Sequence, residues 1–136
     1  MILVDSSVWI DRFAGRATLQ TIAADQFITA EQSLIVGDLV LTEVLQGTRD
    51  GQHFTNVASQ LARFDSLTIV DHRIALEAAR FYLLLRGLGI TVRKTIDTLI
   101  ATRCIVNDIP LLYADRDFDP FVQHLGLRSA LNLLPE

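Results

Sequence analysis

The sequence is short of the residues on which several familiar chemistries depend. Cys104 is its one cysteine, so it can build neither a disulfide framework nor a thiolate cluster. Set between Ile100 and Val106, it reads as a small core residue rather than a catalytic thiol. Lysine is equally scarce: Lys94 stands alone among 12 basic residues. His53, His72 and His124 are far apart and lack zinc-ligand spacing, so they read as surface or capping residues. Neither common glycine-rich loop for cradling a nucleotide is present. The longest uninterrupted apolar run, Phe81 to Leu85, falls far short of the roughly 20 residues a membrane span needs. The N-terminus also lacks the basic-then-apolar layout of a signal peptide, which predicts a cytoplasmic protein. With no internal repeat, linker or low-complexity tract, residues 1–136 are expected to form one domain.

What is present is apolar and acidic. Half of the 136 residues are hydrophobic and the formal net charge is −4. An acidic balance argues against generic nucleic-acid binding, unless several carboxylates gather around metal ions that cancel their charge locally. The basic residues are almost all arginines, among them Arg12, Arg16, Arg86, Arg93, Arg103 and Arg116. Arginine suits bidentate contact with phosphate.

Ile2 to Val4 is too short for a helix and too apolar for a surface strand, and reads as a buried strand of a parallel sheet. Asp5 then sits at its carboxyl end, the edge where open α/β sheets bind ligands. The plainer reading is that Asp5 or Ser6 caps the helix beginning near Val8. Further helices are expected over Thr18 to Glu31 (with Leu19, Ile22, Ala23 and Phe27 on one face), from an Asp38 cap through Gln46, over His53 to Phe64, over Arg73 to Arg86, from a Thr95 cap to Asn107, and over Phe118 to Leu125. Strands are expected at Leu34 to Val36, Leu67 to Val70 and Leu111 to Tyr113, and Leu127 to Leu134 offers an edge strand. Asp119 before Pro120 reads as a cap and first-position pair. Short strands alternating with helices predict an α/β fold, a short parallel sheet flanked by helices on both faces.

Four acids stand out against this outline. Asp115 follows the Leu111 to Tyr113 strand much as Asp5 follows its own. Asp97 shares a helical face with Ile100, Ala101 and Cys104, the face that should meet the sheet. Glu43 lies at the edge of an apolar arc of its helix. Each has an ordinary explanation as a solvated, capping or first-turn acid, and Asp117 reads most simply as a solvated loop acid. Together, however, they predict four carboxylates at one sheet edge. Two such charges about 4 Å apart repel by roughly 4 kcal/mol at an effective dielectric near 20, so a cluster of this kind calls for a cation or raised pKa values. Ligands that are all oxygen select hard ions such as Mg²⁺ or Mn²⁺.

The motifs Val4-Asp5-Ser6-Ser7-Val8-Trp9-Ile10-Asp11, Glu43 in the helix after the second strand, Asp97-Thr98-Leu99-Ile100-Ala101 and Asp115-Arg116-Asp117-Phe118 resemble those of PIN domains, and more narrowly of the VapC toxins of toxin-antitoxin pairs. The resemblance spans nearly the whole chain. It implies a single PIN-like domain and a Mg²⁺-dependent endoribonuclease, with Mn²⁺ able to substitute. It implies Asp5, Glu43, Asp97 and Asp115 as the acidic set, Ser6 as an orienting hydroxyl, and Asp117 as a further candidate ligand. It also implies an RNA substrate, a cognate VapB-like antitoxin and a homodimer. Arg12, Arg93, Lys94 and Arg116 are the candidates for phosphate contact. A non-catalytic binding module on the same fold is the rival reading. A receiver-like phosphoacceptor is disfavoured because Lys94, the only lysine, precedes Asp97. A dehalogenase-type phosphatase is disfavoured because Ser7 stands where it needs a second aspartate.

Overall fold

The computed structural model describes residues 1–134. Its centre is a four-stranded parallel sheet in the order β3-β2-β1-β4, made of β1 (Ile2–Val4), β2 (Leu34–Gly37), β3 (Asp65–Leu67) and β4 (Leu111–Leu112). β1 is fully buried because it has a neighbour on each side, Leu3 pairing with Ile35 of β2 and with Leu111 of β4. The chain winds from β1 through β2 to β3 and then returns to the opposite side of β1 for β4. The strand order therefore reverses between β1 and β4, and in open α/β sheets the carboxyl ends at such a point are where ligands bind,.

Helices α1 (Ser6–Phe13), α2 (Leu19–Thr29), α3 (Asp38–Gln46), α4 (Gly51–Leu61), α5 (His72–Gly87), α6 (Thr95–Val106) and α7 (Asp119–Leu125) complete the fold. α1 buries Val8 and Trp9, with the Trp9 ring against Phe13 and Phe64 at centroid distances of 6.2 and 5.0 Å. α6 runs through the core, burying Ile100, Ala101 and Cys104 along the face that also carries Asp97. Cys104 is thus the small core residue its setting predicts. None of the described helices is long and apolar enough to cross a membrane.

Several boundaries differ from the sequence expectation, each for a local reason. The third strand is Asp65–Leu67 rather than Leu67 to Val70. Ile69 is buried all the same, held by other elements: its N–H donates to Asp38 Oδ1 at 3.0 Å and its carbonyl accepts from Arg103 Nε at 2.8 Å. Its side chain also lies so close to Gly37 that a Cβ there would meet Ile69 Cδ1 at 2.9 Å, which explains why β2 ends on glycine. α2 turns Thr21, Ala23, Ala24 and Phe27 inward and leaves Leu19 and Ile22 exposed, because Thr18 and Thr21 form a reciprocal capping box that fixes where the helix starts,. Asp38, Thr95 and Asp119 are first helical residues, not caps. Asp119 accepts the Tyr113 hydroxyl at 2.9 Å instead. The tail adds no edge strand beyond a single bridge from Ser129 to Leu111, and then a 3-10 turn over Ala130–Leu133.

Candidate functional site

Asp5 is delivered to the switch point by β1 and by its own local chemistry. Its N–H donates to Leu112 O of β4 at 2.9 Å. Its Oδ2 accepts the Ser7 N–H at 3.2 Å and the Ser7 hydroxyl at 2.6 Å, so Asp5 also caps α1. Both sequence readings of Asp5, sheet-edge carboxylate and helix cap, hold at once, since one oxygen serves the cap. The other, Oδ1, is buried without a partner.

The remaining acids arrive from separate elements. Asp97 comes from the first turn of α6 and is 4% exposed, with Oδ2 buried and unpartnered. Asp115 follows β4 and begins a 3-10 turn over Arg116–Phe118, its Oδ1 accepting the Asp117 N–H at 2.9 Å. Glu43 projects from α3 and is reached by the Ser6 hydroxyl at 3.4 Å. Asp97, Asp115 and Asp117 each offer an oxygen within 4.8 Å of the others.

Asp117 departs from the solvated loop acid expected of it. Its side chain is 17% exposed, Oδ2 is buried without a partner, and Oδ1 accepts from Arg93 Nη2 at 2.9 Å. Spacing alone could not reveal this, because the 3-10 turn brings Asp117 back toward Asp115. Ser7 was also missed. Its hydroxyl makes the short bond to Asp5 and accepts the Ala114 N–H at 3.3 Å, tying α1 to the segment after β4.

The electrostatics follow from burial and crowding. Burial, and then the Asp5 charge, pushes Asp97 up to about 7. Burial raises Asp5, and burial with the Asp5 charge raises Glu43. Asp115 goes the other way. Against its partial burial, the Asp117 N–H and the Lys94 ammonium, 3.1 Å from its Oδ2, hold it below the usual carboxylate range. Asp97 feels the charges of Asp5, Asp115 and Glu43, while the acids whose oxygens lie close together are Asp97, Asp115 and Asp117.

The phosphate candidates divide. Arg93 and Lys94 stand at the acidic cluster, paired with Asp117 and Asp115. Arg116 is exposed. Arg12 pairs with Asp25 at 3.1 Å.

The donor set fits a hard divalent cation. It is all oxygen, it comes from several elements, and it includes buried carboxylate oxygens with no hydrogen-bond partner, which a protein rarely leaves without compensation,. His53, His72 and His124 take no part, and His53 Nδ1 accepts the Arg49 N–H at 3.0 Å.

VapC ribonuclease Mb1587 of Mycobacterium bovis and ribonuclease VapC11 of Mycobacterium tuberculosis are each 28% identical to this chain over 131 residues, covering 96% of it and 98% of the relative. A toxin-antitoxin complex from Klebsiella pneumoniae shares the fold with a TM-score of 0.66 at 20% identity, over 95% of this chain and 97% of that one. VapBC2 from Rickettsia felis, bound to a DNA fragment from their promoter, does so with a TM-score of 0.70 at 14% identity and the same coverage. The PIN domain family model matches residues 2–121. With its four-stranded parallel sheet and its acids at the switch point, the chain belongs to the PIN domain family.

Proposed function

We propose that this PIN domain is a Mg²⁺-dependent endoribonuclease, the toxin of a VapBC-type pair, hydrolysing RNA phosphodiester bonds at its carboxylate cluster. The observation that carries the reading is the cluster of Asp97, Asp115 and Asp117, with buried, unpartnered oxygens on Asp97, Asp117 and Asp5. The VapC ribonucleases to which the chain is similar over nearly their whole length support the substrate class.

Asp97, Asp115 and Asp117, with Asp5 behind them, would hold Mg²⁺, for which Mn²⁺ can substitute. Bound there, the ion supplies Lewis-acid stabilisation of charge on the phosphate oxygens and makes water a better nucleophile. Glu43, its pKa raised and its Oε1 engaged by Ser6, keeps Oε2 to accept the proton of an attacking water,. Ser6 thus orients Glu43, and Ser7 orients Asp5. Arg93, Lys94 and Arg116 line the approach for phosphates. Toxin-antitoxin complexes of the same fold support a VapB-like antitoxin as partner. A groove of about 280 Å³ between α1, α3 and α4, walled by Ile10, Phe13, Val44 and Val57, suits an apolar segment of such a partner. The exposed Leu76, Leu83, Leu84 and Leu88 of α5 and its end favour a homodimer. Acting on cellular RNA, the protein works in the cytoplasm.

The test is cleavage of total cellular RNA by the purified protein, free of any co-purified antitoxin, in Mg²⁺ or Mn²⁺ and in excess chelator. Discrete fragments that vanish with chelator are expected, and their ends identify the substrate. RNA left intact in both metals would point to a non-catalytic binding module. Ser7→Ala should weaken Mn²⁺ binding by about 10-fold, in the range for residues that orient a ligand. Calorimetric titration measures this directly, and unchanged affinity would remove Ser7 from that role.

A further inference from the structure

Asp115 is the one acid of the cluster whose two oxygens are both engaged, Oδ1 by the Asp117 N–H and Oδ2 by Lys94 Nζ at 3.1 Å. Lys94 belongs to no other ion pair in the structure's described residues. It precedes the first residue of α6, so it is anchored three residues upstream of Asp97, and its charge also acts on Asp97, Glu43 and Asp117. A single ammonium thus reaches four acids contributed by three parts of the fold. Meanwhile Asp5 and Asp97, 3% and 4% exposed, keep oxygens that no protein donor satisfies. The partly satisfied cluster and its one ammonium belong together. An ammonium on a flexible four-carbon stem is a compact point charge that can be exchanged, whereas the planar fork of arginine commits itself to a carboxylate.

We propose that Lys94 is the built-in counter-ion of the acidic site: it occupies Asp115 Oδ2 in the metal-free protein and is displaced when a divalent cation takes that oxygen. This rests on the reading of the cluster as a metal site and adds a regulation of it. Metal affinity is set by competition with the protein's own lysine, and the displaced ammonium is released at the mouth of the cluster, where phosphate would lie. Arg93, on Asp117 Oδ1, leaves Asp117 Oδ2 open and need not move.

Because Lys94 is the only lysine in the sequence, protein labelled with ¹³C at lysine Cε gives one lysine side-chain signal. Titration with diamagnetic Mg²⁺ should shift and sharpen that signal as the ammonium is released. In parallel, calorimetry should find Mn²⁺ bound several-fold more tightly by Lys94→Met and Lys94→Gln than by the unchanged protein at low salt, each variant first checked for an unaltered melting profile. The two substitutions guard against misfolding of either one. Equal or weaker Mn²⁺ binding by both variants, or a lysine signal indifferent to saturating Mg²⁺, overturns the counter-ion proposal while leaving the metal site standing. If neither the unchanged protein nor the variants bind Mn²⁺, the metal reading itself fails, and this proposal with it.

Discussion

Asp97→Asn should abolish RNA cleavage and, in metal-free buffer at pH 7.5, make the protein more stable. The catalytic half of this expectation follows from losing a charged oxygen in the cluster, and the drop should exceed the 10–100-fold typical of residues that merely orient a ligand. The stability half follows from linkage. Burial and the neighbouring Asp5 charge push the Asp97 pKa up to about 7, whereas in the unfolded chain it lies near 3.9. The folded protein therefore binds more protons than the unfolded chain between those two values. The stabilisation that Asp97 contributes when protonated is fully present below about pH 4 and is lost as pH rises through about 7. At pH 7.5 the fold holds a crowded carboxylate against its tendency to protonate, a penalty of up to about 4 kcal/mol at 1.36 kcal/mol per pKa unit.

Asparagine keeps the shape and removes that penalty. Thermal melts of the two proteins should differ by about 5–10 °C at pH 7.5 in favour of the variant, from a net gain of roughly 1–3 kcal/mol, and should converge near pH 4. Adding Mg²⁺ should then raise the melting temperature of the unchanged protein, by mass action, more than that of the variant. A variant less stable at pH 7.5 would show instead that Asp97 is a structural partner rather than a crowded acid.

Phe118→Ala should be the most damaging single change near the site, lowering unfolding free energy by about 3–5 kcal/mol. Phe118 is fully buried, its ring lies 5.3 Å from that of Tyr113, and it closes the 3-10 turn that folds Asp117 back beside Asp115. Tyr113 is in turn tethered to Asp119 at the start of α7. The loss of the ring opens a cavity under the turn that carries two of the clustered acids, so metal affinity should fall along with stability. Arg116→Ala, in the same turn but exposed, should shift stability by less than about 0.5 kcal/mol,. Urea denaturation of the two variants gives the comparison directly. Equal small losses would mean that the turn is held by its backbone bonds, and that Phe118 is incidental to the site.

The parts of the site that were legible in the sequence are those whose signal is local. A three-residue apolar run before Asp5 is too short for a helix and too apolar for a surface strand, so it reads as a buried strand with Asp5 at its carboxyl end. Helical periodicity puts Asp97 on the buried face with Ile100, Ala101 and Cys104 whatever the helix packs against. Asp117 and Ser7 were not legible in the same way. The 3-10 turn that brings Asp117 beside Asp97 depends on Phe118 finding the core, and Ser7 matters because Ala114, far along the chain, lies beside it. The third strand was misplaced for a related reason. Asp65 and Ser66 are polar, but an edge strand needs only backbone pairing with β2, while apolar Ile69 is buried through Asp38 and Arg103 instead of through the sheet.

The sequence by itself therefore determined the alternation of strands and helices, the acidic character of the strand ends, and the lack of any cysteine besides Cys104 and of clustered histidine, which together restrict a metal site to oxygen ligands and hard ions. Those are properties of composition and short-range period, and they survive any arrangement of the elements. Only the tertiary structure decided which acids meet. The return of β4 to the far side of β1 sets the carboxyl ends of the two strands side by side, and the 3-10 turn after Asp115 recruits Asp117. The loop before α6 lays the sole lysine on Asp115. Each of these brings together charges distant in sequence, and Coulomb repulsion among them is tolerated because packing elsewhere in the fold holds them in place.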